Sequence, residues 1–143
     1  MTAQNQQSKC YALTLKMLMR REHSQLELSK KLQLKGFNDI DIKHSIDLLI
    51  EQKYQSDERF SEVFILMRYN QGKGPVIISS ELKKRGIESF DLSIVDWFEL
   101  AKEVREKKFG QNLPLDYKIQ AKQKRFLQSR GFGFDQINKS FPR

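Results

Sequence analysis

One cysteine, three prolines, two histidines and one tryptophan are all that 143 residues contain of these types, and each scarcity excludes something. A single thiol, Cys10, cannot close an internal disulfide, which suits a reducing compartment. Three prolines leave long stretches free to be helical. Cys10 has no neighbouring cysteine, so a metal site lacks ligands there. No apolar run approaches the ~20 residues that span a bilayer. Met1–Ser8 is polar. The apolar stretch Tyr11–Met19 is interrupted by Thr14 and Lys16 and runs into Arg20 and Arg21. A secretory leader is therefore not expected, and a cytoplasmic protein that avoids membranes is.

What is present favours a folded helical chain. Hydrophobic residues make up 38% and charged residues 31%. Ten Phe and four Tyr supply enough apolar area to offset chain entropy. The net charge of +8 is uneven. Residues 1–100 hold 15 Lys/Arg against 14 Asp/Glu, whereas residues 101–143 hold 11 against 4. A basic final third suits a polyanion or an acidic protein surface, or it serves only as a solvated face.

One local pattern occurs three times. A glycine is followed by a large apolar residue at Gly36-Phe37, Gly86-Ile87 and Gly131-Phe132, and preceded by Lys35, Arg85 and Arg130. Four positions before each glycine stands Leu32, Leu82 or Leu127. Eight before stand Leu28, Ile78 and, in the third case, Gln123. The i, i+4 leucines mark one helical face. Glycine then ends the helix in the left-handed conformation, and the next apolar residue folds back on the last turn. Ser24-Gln25-Leu26-Glu27 reads as a capping box, and Gly74-Pro75 puts proline at a first helical position.

Around each of these elements the spacing predicts a helix before and a helix after. Tyr11, Leu15, Leu18 and Met19 form one stripe. Ile42, Ile46, Leu49 and Ile50 form another, capped by Asn38 or Asp39. Phe60, Phe64 and Met67 form a third, capped by Ser56. A fifth helix covers roughly Val76–Arg85 and a short sixth lies near Phe90–Val95. Trp97, Leu100, Ala101 and Val104 start the last unit, which Gly110–Pro114 interrupts. A helix over about Asp116–Ser129 follows, with Ile119, Phe126 and Leu127 inward, and a short one near Asp135–Phe141. No strand alternation competes. The expected fold is all-α: three tandem three-helix repeats, at 10–54, 55–95 and 96–143, the last of them basic. Chained units imply an elongated molecule, with its curvature open; a single compact globule is the alternative shape.

No catalytic constellation emerges, and an enzyme is not expected. His23, before a helix cap, and His44, on a helix flank, read as solvent-facing or capping groups. Cys10 reads as an inert thiol. Gly72-Lys73-Gly74-Pro75 lacks the spacing and the Lys-Ser/Thr ending of a phosphate loop, and reads as a flexible start to a helix with an exposed Lys73. No cofactor is implied. Asp57, Glu58 and Arg59 read as first-turn residues that stabilise the helix through its dipole. The candidates for partner binding are basic: Lys73; the run Lys83, Lys84 and Arg85; and Lys118, Lys122, Lys124, Arg125 and Arg130. Lys118, Lys122 and Arg125 share one helical face. From the residues alone, solvation and binding explain these positions equally well.

Three stretches then carry a family resemblance. The first is Arg21-Glu22-His23-Ser24-Gln25-Leu26-Glu27-Leu28 with Lys31-Leu32 and Lys35-Gly36-Phe37. The second is Tyr54-Gln55-Ser56-Asp57-Glu58-Arg59-Phe60 with Arg68, Gly72-Lys73-Gly74-Pro75, Glu81-Leu82-Lys83 and Arg85-Gly86-Ile87. The third is Arg125-Phe126-Leu127, Arg130-Gly131-Phe132 and Ile137. In this order, over about residues 10–141, the chain resembles the RecX family. The third unit departs at Gln123. The resemblance implies tandem three-helix repeats, monomeric, that lodge in the groove of the RecA filament on single-stranded DNA. It also implies inhibition of RecA ATP hydrolysis, strand exchange and coprotease activity, and so moderation of recombinational repair and the SOS response. A helical module that binds DNA directly, without RecA, is the alternative; weak direct DNA affinity fits either.

Overall fold

The structure, a computed structural model, describes residues 2–141; Met1, and Pro142 and Arg143 of the expected third repeat, lie outside them. The described residues contain eight α-helices, one short 3-10 turn and no strand. The helices are α1 (Ala3–Arg20), α2 (Gln25–Leu34), α3 (Asp39–Glu51), α4 (Asp57–Asn70), α5 (Pro75–Lys84), α6 (Trp97–Phe109), α7 (Tyr117–Ser129) and α8 (Phe134–Lys139). The 3-10 turn, Leu92–Ile94, replaces the expected sixth helix. Its apolar residues are too few to form a stripe, and Asp91 accepts from the Ser93 N–H across it at 2.9 Å. The chain gathers into two compact units, Met1–Val63 with Lys83–Phe90, and Phe64–Leu82 with Asp91–Arg143.

In the first unit, α1 packs on α3 and α2. Ser24 and Glu27 complete the expected capping box of α2, and Asn38, rather than Asp39, caps α3. Gly36 has φ +90°, the Gly36 N–H donates to Gln33 O at 3.0 Å, and Phe37 N–H to Leu32 O at 3.2 Å. That pair of bonds satisfies the last carbonyls of α2 and turns Phe37 back onto the core. The core is Cys10, Leu28, Leu32, Ile42 and Ile46, with Leu13, Met17, Leu18 and Phe37 packed against it. Cys10 is thus a core residue. Met19 and Ile50, expected on the inner stripes, are exposed. Each follows directly on a residue that does face inward, and a helix turns 100° per residue.

In the second unit, α6 packs on α7 and α8. Phe64, Ile65, Ile78, Leu82, Trp97, Leu100, Leu127, Phe132 and Ile137 are buried. Trp97 donates its indole N–H to Leu92 O at 2.7 Å. Gly131 and Phe132 repeat the α2 ending at the end of α7, with bonds to Gln128 O (3.0 Å) and Leu127 O (3.2 Å). Met67 is 43% exposed and Ile119 50% exposed, against expectation. Ile65 takes the inward place beside Phe64, and Ile119 lies in the first turn of α7, where the helix end is open to water. Arg105 was missed: it follows Trp97 and Ala101 at i+8 and i+4, and is only 1% exposed. Its Nε donates to Ser140 O at 2.8 Å, and its guanidinium lies 5.1 Å from the Phe141 ring centroid.

Candidate functional site

The residues that carry the family resemblance turn out to be assembly devices. Within the first unit, the segment 21–27 and the segment 53–59 bind each other. Gln55 donates to His23 O at 3.2 Å, and the Gln25 N–H donates to the Asp57 carboxylate at 2.9 Å. Arg59 donates from Nε to Glu22 at 2.8 Å and from its terminal nitrogens to Lys53 O and Tyr54 O. Asp57 therefore satisfies a free N–H at the start of α2, a role beyond its expected part in the first turn of α4. Within the second unit, the Gly74 N–H donates to Arg130 O at 2.7 Å and the Val76 N–H to Gly131 O at 2.9 Å. Residues 72–75 are thus a docked backbone turn, not the flexible helix start expected.

His23 is buried, against the expectation of a solvent-facing group. Its Nδ1 lies 3.0 Å from Arg21 O and donates to it; its Nε2 lies 2.9 Å from Lys31 Nζ and accepts from it. A carbonyl and an ammonium fix the neutral ring in this tautomer. Burial, with Arg21 and Lys31 nearby, lowers the His23 pKa below its ordinary value. The unfolded chain then binds the extra proton more readily than the folded one, so His23 contributes stability that is lost as pH falls below about 6.5. The stability gap between the protein and a His23→Gln variant should narrow in urea unfolding as pH is lowered from 8 toward 5.5, values chosen to bracket the ordinary histidine range of ~6.5. A gap that is constant over that range would count against a neutral buried ring. Glu27 works in the opposite sense: burial raises its pKa, but Arg21 and the Ser24 N–H outweigh that and hold it below the usual carboxylate value. His44, by contrast, is exposed as expected.

The nine candidate basic residues separate into engaged and free groups. Lys83, Lys84 and Arg85 belong to the first unit and the other six to the second. Arg85 lies 3.9 Å from Glu27, and Lys73 lies 3.6 Å from Glu81, which also binds Arg68 at 2.8 Å. Lys124 sits 5.4 Å from the Phe141 ring, and Arg130 sits 5.7 Å from the Phe126 ring. Lys83, Lys84, Lys118, Lys122 and Arg125 are exposed and have no ion pair among the described residues. On α7 the last three form the expected row at i, i+4 and i+7.

Sequence reasoning missed a cleft of about 470 Å³ on the second unit, walled by Tyr69, Val104, Phe126, Lys107, Lys108 and Arg130. Phe126 was expected inward. Beside the fully buried Leu127 it instead forms the cleft wall, with Phe109 edge-on at 5.3 Å and Lys108 over its ring at 5.4 Å. A helix turns 100° per residue, so Leu127 facing the core does not require Phe126 to face it too, which was the available signal. Among the described residues no helix is long and apolar enough to cross a membrane, and no group of three or more side chains is arranged to hold a metal.

Comparison with known proteins agrees with this architecture. The first, second and third three-helix domains of RecX match residues 10–49, 56–92 and 95–140. A regulatory protein RecX of Acinetobacter baylyi is 36% identical over 140 residues, which is 95% of this chain and 88% of that protein. One from Vibrio campbellii is 42% identical over 130 residues, 87% of this chain and 84% of that protein. The crystal structure of RecX from Lactobacillus salivarius superposes with a TM-score of 0.77 at 24% identity, over 95% of this chain and 94% of that one, and shows the same fold. With all three domains matched in order over most of its length, the chain belongs to the RecX family of regulatory proteins.

Proposed function

We propose that this protein binds the RecA filament on single-stranded DNA and restrains it, lowering ATP hydrolysis, strand exchange and coprotease activity. In this reading it moderates recombinational repair and the SOS response from the cytoplasm, as a monomer, by binding and without catalysis. The observation that carries it is the match of three RecX domains in series. The sequence-defined repeats 10–54, 55–95 and 96–143 each offer a contact, and several modest contacts to one polymer gain affinity through effective concentration. The exposed Lys118/Lys122/Arg125 row supports an acidic or phosphate-bearing partner, and the free Lys83 and Lys84 are further contacts. Lys73, Lys124, Arg85 and Arg130, held by neighbours within the fold, contribute less.

The test is the DNA-stimulated ATPase of RecA, which should fall in a dose-dependent way. No change at a several-fold excess of this protein overturns the reading. Replacing Lys118, Lys122 and Arg125 together with Ala should weaken filament binding by about tenfold, since exposed charge pairs contribute ~0.2–1 kcal/mol each. The fold should be intact, because exposed substitutions shift stability by under ~0.5 kcal/mol. Wild-type inhibition by this variant would move the contact face elsewhere. The same row also suits DNA phosphates, which is the direct-binding reading. That reading requires tight binding to DNA without RecA, with affinity falling steeply as salt rises.

A further inference from the structure

A second basic surface lies on the first unit, lined by none of the nine candidates considered above. α1 and α2 form a groove of about 500 Å³ whose apolar lining is Leu13, Met17 and Leu34. Lys16, Arg20, Lys31 and Lys35 line it, and no carboxylate does. Leu34 is 88% exposed. The near-neutral count over residues 1–100 conceals this: residues 1–37 hold seven Lys/Arg against two Glu. Both glutamates are already engaged, Glu22 by Arg59 and Glu27 by Arg21 and Arg85. Lys16, Arg20 and Lys35 have no ion pair among the described residues. Lys31 donates to His23 and has its own pKa lowered by burial and then by Arg21.

Like charges crowded beside exposed apolar surface raise the energy of the free protein, and an occupant must relieve both features at once. Helix ends account for Arg20 and Lys35, which face the negative ends of α1 and α2. They do not account for Lys16, more than a turn inside α1, or for the bare Leu34. We propose that this groove docks an amphipathic acidic segment of a partner protein, its apolar stripe on Leu13, Met17 and Leu34 and its carboxylates against the four cations. This is the helix-in-groove mode of recognition. A nucleic acid fits less well, because no aromatic side chain lines the groove for a base to stack on, and phosphates leave Leu34 uncovered. The proposal stands independently of RecA binding through α7.

The test uses the full chain and a synthetic peptide of about five helical turns, some 18 residues, with Leu at i, i+3, i+4 and i+7 and Glu on the other face. Controls are a scrambled peptide of the same composition, an oligothymidylate, and vesicles of equal parts phosphatidylglycerol and phosphatidylcholine. The amphipathic peptide should bind at least about tenfold more tightly than the scrambled one. Leu34→Asp, and separately the triple charge reversal Lys16→Glu, Arg20→Glu and Lys35→Glu, should each weaken it by about tenfold or more. Both sets lie on the surface, and circular dichroism confirms their helicity; Leu34→Gln substitutes if Leu34→Asp unfolds. The Lys118/Lys122/Arg125 triple variant should bind the peptide normally, which separates this surface from the filament contact. Equal binding of the scrambled peptide, indifference to the groove variants, or tighter binding of oligothymidylate or vesicles each overturns the proposal.

Discussion

Phe64→Ala should reduce the free energy of unfolding by about 3–5 kcal/mol, as truncation of a buried phenylalanine generally does. Phe64 is 5% exposed and lies beside the fully buried Ile65 on α4. Its ring also supports Arg68, whose guanidinium lies 4.9 Å from the centroid while it holds Glu81 at 2.8 Å. Removing the ring leaves a cavity and strips one face from a half-buried cation, whose Nε has no hydrogen-bond partner among the described residues. A domain of this kind is stable by about 5–15 kcal/mol in total, so the loss should appear as a large drop in the urea midpoint. Phe64→Leu keeps most of the volume and should cost under about 1.5 kcal/mol. Val63→Ala, one residue away on an exposed position, should change stability by no more than ~0.5 kcal/mol. Equal effects at 63 and 64 would contradict the inward orientation of Phe64.

The second large effect concerns backbone. A Cβ placed on Gly74 falls 2.5 Å from the Phe132 nitrogen and closer still to the carbonyl of Gly131. Those atoms belong to the helix-ending turn of α7 and cannot swing aside as a side-chain tip would. Gly131 is bound equally tightly, since it has φ +96° and a Cβ there would lie 2.6 Å from Ile77 Cγ1. Gly74→Ala must therefore push the turn at 72–75 away from 130–132 and lengthen the 2.7 Å and 2.9 Å bonds that join them. The expected cost is about 3 kcal/mol, the upper part of the range for overpacking plus lost backbone hydrogen bonds. Gly36→Ala is the informative comparison. Gly36 has φ +90° but nothing within 4 Å of its added Cβ, so it should incur only the left-handed conformational cost of ~1–2 kcal/mol. If chemical denaturation ranks Gly36→Ala as the more damaging, the close approach at Gly74 is not what holds this part of the unit together.

These two substitutions also show why the RecX motifs are so informative as sequence. Arg130-Gly131-Phe132 and Gly72-Lys73-Gly74-Pro75 are far apart in the chain yet form one backbone junction. The same holds for Glu22-His23-Ser24-Gln25 and Gln55-Ser56-Asp57-Glu58-Arg59. Such junctions tolerate few residue types, because glycine is needed for approach and a particular carboxylate, amide or guanidinium is needed for each partner. The exposed basic row on α7 imposes no comparable demand: an exposed lysine satisfies water as readily as a ligand. For that reason the motif residues announced the family while leaving the contact surface open.

What the sequence determined by itself was local. The capping box at Ser24, a cap at Asn38 or Asp39, and the left-handed glycines that end helices before Phe37, Ile87 and Phe132 all depend on atoms within five residues of one another, so spacing and residue type suffice. Tertiary structure alone decided that His23 is buried against Lys31 and Gln55, that Arg105 lies in the core against Ser140, and that Phe126 lines a cleft. It also decided which lysines and arginines are held by Glu27, Glu81, Phe126 or Phe141 and which stand free. Most of these outcomes turn on side chains brought together from distant positions, where burial and charge act through space, and a helical period records which face a residue lies on but not what meets that face.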